Sequence, residues 1–191
     1  MDLNRRSAWD LLCEYTQTES LRKHALGVEA AMRAMAGKYD GDPDLWGITG
    51  LLHDFDYEKF PTMEQHPFKG VAILKELGYP EEMLDAIMGH AEYTGVKRVS
   101  SLAKALFAVD ELVGFIFAVT YVRPSRSVNE VQPRSVRKKL KQKSFAASVN
   151  RDDIFNSIQE LELDENEHYQ FVIDALTAVA DTIGLDGVVQ G

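Results

Sequence analysis

Four of the five histidines lie in the first half of the chain, His24, His53, His66 and His90, while His168 stands far downstream. His53 is followed directly by Asp54, in Gly50-Leu51-Leu52-His53-Asp54-Phe55-Asp56-Tyr57, where an apolar stretch gives way to polar residues. Imidazole nitrogen suits Zn²⁺, Fe and Mn²⁺, and an adjacent carboxylate adds charge, so His-Asp at a buried helix end can begin a metal site. His24 and Asp110 fall on apolar helix faces. An ionised carboxylate in such a place loses its water at high cost, and a nearby cation removes that cost. Taken singly, each residue has an ordinary reading. His66 could cap a helix before Pro67, His90 could face a helix C-terminus, and Asp110 could pair with Arg98 or Lys104. The six together, in this order, point to a metal site.

The elements that must position them are helical almost throughout. Residues 5–16 make a first helix, with Trp9, Leu12 and Cys13 on one side. Thr18 or Ser20 can cap the second, since a hydroxyl accepts an orphan N–H. That helix runs to Lys38, with Leu21, His24, Ala25, Val28, Met32 and Met35 at spacings of three and four, so His24 faces inward. Asp42-Pro43 opens a third helix that ends near His53. After a loop at 55–64, helices run from Pro67 to Gly78 and from Tyr79-Pro80 to Gly89-His90. A loop at 91–99 leads into a long helix at 100–120, whose apolar stripe Asp110 interrupts. The segment 121–150 carries Pro124, Pro133 and one short helix at 134–142, and reads as a lid or an ordered insertion. Asn150 caps a helix at 151–161 and Asp164 a last one at 165–183, ended by Gly184. Strand-type alternation is absent, so the fold class is all-α.

The bulk numbers bound the function. A chain of 191 residues suits one domain with a substantial core. No apolar run approaches the roughly 20 residues of a bilayer span, and no apolar signal core follows Met1-Asp2-Leu3-Asn4-Arg5-Arg6. A single cysteine, Cys13, excludes an internal disulfide. It fits a reducing cytoplasm and reads as a packing residue. A net charge of -9 argues against nucleic-acid polymers as partners. The basic residues cluster between Arg123 and Lys143, against Glu130 as the one acid there, which suits a small anionic partner. Trp46 and Phe55 read as core or pocket wall, and His168 as a surface residue on a polar helix.

The order His24, His53-Asp54, Gln65-His66-Pro67, Gly89-His90, Val109-Asp110-Glu111 resembles the HD-domain superfamily of metal-dependent phosphohydrolases, over about residues 20–120. Val122-Arg123-Pro124 and Ser135-Val136-Arg137-Lys138-Lys139-Leu140-Lys141 resemble a subgroup of predicted hydrolases within it. The resemblance implies a single HD-domain-like helical bundle at 1–191, with a metal-binding core at 20–120, the basic segment at 121–150 and C-terminal helices at 151–191. It implies that His24, His53, Asp54 and Asp110 hold a first divalent ion. His66 and His90 would hold a second, with Asp54 as the bridge, or contact phosphate around a single ion. Fe, Mn, Zn, Co, Ni and Mg are the candidate metals. Some members use a Glu shortly after the His-Asp pair as acid or base. Tyr57 holds that place here, with Asp56 and Glu58 on either side, so Asp56 and Glu58 join Asp54 as candidate catalytic residues.

A bound cation makes hydroxide available near neutral pH, and positive groups then hold the non-bridging phosphate oxygens. Lys59, in the loop after Asp54, is the nearest candidate for that catalytic and substrate-binding contact, followed by Arg123, Lys138 and Lys139. The leading expectation is a phosphohydrolase acting on a small phosphorylated substrate, nucleotides included. The alternatives are a dinuclear-iron oxygenase on the same scaffold and a non-catalytic signalling module.

Overall fold

A computed structural model describes residues 4–187. Its helices are α1 (Arg5–Tyr15), α2 (Glu19–Lys38), α3 (Pro43–Leu52), α4 (Phe68–Glu76), α5 (Glu81–His90), α6 (Ser101–Tyr121), α7 (Pro133–Leu140), α8 (Arg151–Glu160) and α9 (Glu165–Thr177). Among the described residues the only β-type pairing is an isolated bridge between Ser127 and Asp186. The all-α expectation holds. No helix there is long and apolar enough to cross a membrane.

Helix α6 is the axle. Leu102, Ala105, Leu106, Val109, Leu112, Val113, Phe115, Ile116 and Val119 are all buried, so it is apolar nearly all round. A helix of that kind is stable only when surrounded, and α2, α5, α8 and α9 surround it. Two glycines let backbones approach closely. A Cβ on Gly27 would stand 3.0–3.1 Å from Val113, Phe117 and Leu176, where α2 meets α6 and α9. One on Gly50 would lie 2.9 Å from the Val28 carbonyl oxygen, where α3 meets α2. The α1–α2–α3 corner is tied by buried Glu29, which accepts from Arg5 and Arg33.

Caps at Asp42, Ser100, Asn150 and Asp164 take the free N–H groups of α3, α6, α8 and α9. The cap of α2 differs from expectation. Thr18 occupies the N-cap, but its hydroxyl donates to Glu58, whose carboxylate also accepts the N–H groups of Gln17 and Thr18. A charged acceptor is the stronger one. Helix α9 stops at Thr177, and the chain continues in turns to Gly184, which takes a left-handed φ of 69°.

The segment 121–150 packs as an insertion. Val128, Val131, Val136 and Leu140 enter the core, and Val128 N–H donates to the Leu185 carbonyl. Trp46 and Phe55 are buried in the core, as expected, and Cys13 is half-buried.

His168 corrects an expectation. It is 1% exposed rather than on the surface. Its Nε2–H donates to the Ala108 carbonyl of α6 at 2.8 Å, and its Nδ1 has no partner. The polar neighbours on α9 hid this, because one turn of an otherwise polar stretch faces inward. Burial first, and the Lys38 charge second, push its pKa below the usual imidazole value. The unfolded chain therefore takes the proton first. Stability is full above about pH 6.5 and falls as the pH drops below it. Between pH 7 and pH 5 the wild type should lose up to about 1.4 kcal/mol per pH unit more than H168Q, whose amide can still donate to Ala108. Denaturant melts at the two pH values measure this, and equal losses in both proteins would contradict it.

Candidate metal centre

Each of the six residues is delivered by a different local device. His24 sits one turn into α2. His53 is the C-cap of α3, with Asp54 next in the turn that follows. His66 ends the loop before α4, His90 is the last residue of α5, and Asp110 lies in the middle of α6. The elements converge so that the ring nitrogens and carboxylate oxygens meet.

Three of the rings are pinned through Nδ1. His53 Nδ1–H donates to the Gly50 carbonyl at 2.8 Å, one turn back in α3. His90 donates in the same way to the Ile87 carbonyl of α5. His66 Nδ1–H donates to Asp56 at 2.8 Å. Each Nε2 lone pair is thereby left facing the cluster, the arrangement in which histidines bind metals. Asp56 is itself held, its second oxygen accepting the Gly70 N–H at 2.8 Å. A Cβ on residue 70 would stand 2.6 Å from the Asp56 carboxyl carbon, so only glycine allows the contact.

The free atoms fall into two groups that share Asp54. His24, His53 and Asp54 form one, and Asp54, His66 and His90 the other. Asp54 Oδ2 lies 3.4 Å from His53 Nε2. Asp54 Oδ1 lies 3.2 Å from both His66 Nε2 and His90 Nε2. Asp110 Oδ1 stands beside the first group, hydrogen-bonded to His24 Nε2 at 3.0 Å and 3.2 Å from His53 Nε2. Two ligands bonded at about 2.1 Å to one ion stand about 3.0 Å apart at 90° and about 3.4 Å apart at 109°. The observed separations span that interval. His53 Nε2 and Asp54 Oδ1 are also buried with no hydrogen-bond partner. Orphaned polar atoms at this depth are costly, and a cation between them would satisfy both. The residues fit a divalent metal.

The charges agree. Burial opposes a charge on His53, yet Asp54 and Asp110 outweigh it and hold the ring pKa well above the usual value. Burial likewise opposes charge on His66, and Asp54 and Asp56 still raise it to about 9. Burial disfavours the charged carboxylates too, but the histidines hold Asp54 and Asp110 well below the usual range. The same field favours a cation among these groups. Glu111, on the rim of the cluster, is pushed up to about 8 by burial and then by Asp110.

A pocket of about 600 Å³ opens onto the cluster. Leu21, Tyr57, Tyr93 and Phe107 give it an apolar wall, and Glu92, Glu111, Asn150 and Asp153 a polar one. No Lys or Arg lines it. Glu92 is balanced by Arg98, which also pairs with Glu160, so Arg98 is not a partner of Asp110.

A family model, the HD domain, matches residues 21–114. The chain belongs to the HD-domain superfamily. The HD-domain family consists mostly of metal-dependent phosphohydrolases, and the His/Asp cluster is compatible with divalent metal binding. Comparison with curated proteins and with solved structures returned no match. The matched stretch of this HD protein ends within α6, so Asn150 and Asp153 reach the pocket from α8, outside it.

The structure brings together all six metal candidates, with Asp56 behind His66, and sets Glu58, Lys59, Arg123, Lys138 and Lys139 away from the pocket. Asp56 is 1% exposed and holds His66, which leaves it no room to act on a substrate. Glu58 is committed to the N-terminus of α2. Lys59 lies over the Tyr15 ring, 3.8 Å from its centroid, and does not line the pocket. Arg123, Lys138 and Lys139 line a different cleft. The chain turns back after Asp54, and Glu58 and Lys59 are spent on the start of α2 and on α1. Of the pocket residues absent from the sequence-based assignment, Glu111 follows Asp110 directly, whereas nothing local marks Asn150 or Asp153.

Asp56→Asn removes the carboxylate that fixes the His66 ring. Metal affinity should fall about 10- to 100-fold, the usual cost of losing such a partner. Metal retained after gel filtration against a graded chelator measures it, and affinity equal to wild type would contradict the role given to Asp56.

Proposed function

We propose that this HD-domain protein is a dinuclear phosphohydrolase that releases phosphate from small phosphomonoesters. One observation carries the reading: two groups of metal-competent atoms share a single carboxylate, Asp54, at the floor of a pocket sized for a small molecule. Bound divalent ions supply a low-pKa water and neutralise charge on the phosphoryl oxygens.

The chain's own residues do the rest. His24, His53, Asp54 and Asp110 would hold one ion, and His66 and His90 with Asp54 a second. The Nδ1 hydrogen bonds fix the rings so that little reorganisation is needed when substrate arrives. Tyr93, whose hydroxyl donates to the His66 carbonyl, stands with Tyr57 and Phe107 around the mouth and limits water. With no Lys or Arg among the described residues of the wall, the phosphate charge would have to be offset at the metal ligands themselves. Nothing else in the wall would then hold a further phosphate on the substrate. Among nucleotides, this selects monophosphates over triphosphates.

The donor set of four imidazoles and two carboxylates also suits iron, so an oxygenase is the competing chemistry. The test is a panel of phosphomonoesters and nucleoside mono- and triphosphates. Each is assayed with chelator-stripped protein reloaded with Mn²⁺, Fe²⁺, Co²⁺, Ni²⁺, Zn²⁺ or Mg²⁺, with and without oxygen. Phosphate release from monoesters should appear without oxygen, exceed that from triphosphates about tenfold or more, and vanish in H90A. Tightly bound metal with no phosphate release would overturn the proposal, and oxygen-dependent turnover with iron would establish the alternative.

A further inference from the structure

The cations expected to hold an anion are gathered away from the metal pocket. Arg123, Lys138 and Lys139 line a second cleft of about 480 Å³ between the C-terminal end of α6 and α7. Val119, Val122 and Pro124 give it an apolar side, and Ser135 and Gln142 add polar groups. It shares no lining residue with the metal pocket. Val119 lies nine residues beyond Asp110 on the same helix, roughly 14 Å at 1.5 Å per residue.

Little compensates the charge on this cleft, Glu130 being the one acid paired with it among the described residues. No carboxylate lines it, although acids outnumber Lys and Arg by 30 to 21 in the chain. Arg123 Nε is buried without a hydrogen-bond partner. Its Nη2 is 3.7 Å from Glu130, beyond hydrogen-bond reach, and Glu130 already accepts from Ser125. Lys139 is steadied over the Phe145 ring, 4.4 Å from its centroid. Neither Lys138 nor Lys139 forms an ion pair among the described residues. The other basic hollow beside α7 makes the contrast. There Arg137 pairs with Glu165, and Arg151 donates to a ring of backbone carbonyls that includes Leu140 and Val149. Those guanidinium groups are used by the fold. The guanidinium of Arg123 has only the long Glu130 contact, and its Nε has no hydrogen-bond partner.

We infer that the α6–α7 cleft binds a phosphate group, free or carried on a small molecule, independently of the metal centre. A guanidinium fork matches two phosphate oxygens at once, while two ammonium groups supply point charges. Ser135 and Gln142 can donate to the remaining oxygens. The small concave volume and the net charge of -9 disfavour a nucleic-acid strand, which needs an extended basic face.

Titration calorimetry with inorganic phosphate tests this on the full chain, metal-loaded and again after chelation. The raised pKa values of His53 and His66 leave positive charge in the metal pocket after chelation, so binding that survives chelation reports on the cleft only where it also weakens in R123Q and K138Q. We expect such binding, and we expect R123Q and K138Q each to weaken it about tenfold while metal content stays at the wild-type level. Lys138 is exposed, so K138Q reads the contact and not a folding defect. Loss of all phosphate binding on chelation would overturn the inference. So would metal-independent binding that is unchanged in K138Q and R123Q, which would mean a solvated basic face only.

Discussion

The Asp54 carboxylate stands where two sets of buried imidazoles converge, and the arrangement is tolerable only with positive charge among them. Its two oxygens face different neighbours, His53 on one side and His66 with His90 on the other. The neighbouring carboxylates favour the charged form of the His53 and His66 rings against the cost of burial, so the site favours positive charge. Divalent ions would supply it better, because they also satisfy the orphaned His53 Nε2 and Asp54 Oδ1. The rest of the fold can be understood as the means of keeping these atoms about 3 Å apart.

That precision comes from backbone, not from long side chains. Two of the three pinned rings are held by carbonyls one turn earlier in their own helices, so helix geometry sets their orientation. The third is held by Asp56, whose place depends on the bare Gly70. Helix α6 brings Asp110 to the same point because it is buried almost all round and cannot rotate without exposing its core face. Beyond the HD stretch, α8 and its cap close one side of the pocket with Asp153 and Asn150.

Much of this was legible in the sequence, for physical reasons. Spacings of three and four placed His24 on an inner face, and Asp42-Pro43, Asn150 and Asp164 announced their helices because capping is local chemistry. The metal candidates stood out because His and Asp are rare on apolar faces. What was not legible depends on tertiary contact. Glu58 near a His-Asp pair looks catalytic until its partners at Gln17 and Thr18 are seen, 40 residues or more away in sequence. Lys59 looks like a phosphate contact until the Tyr15 ring is found beneath it. His168 looks exposed because its flanking residues on α9 are polar. Asp153 has no local mark at all, since its meaning comes from where α8 packs.

The shared carboxylate is tested most directly by counting metal ions. Elemental analysis of the full chain, purified without added metal, should give two ions per chain. D54A, still folded by circular dichroism, should hold neither. One ion in the wild type, or two retained in D54A, would contradict the role given to Asp54.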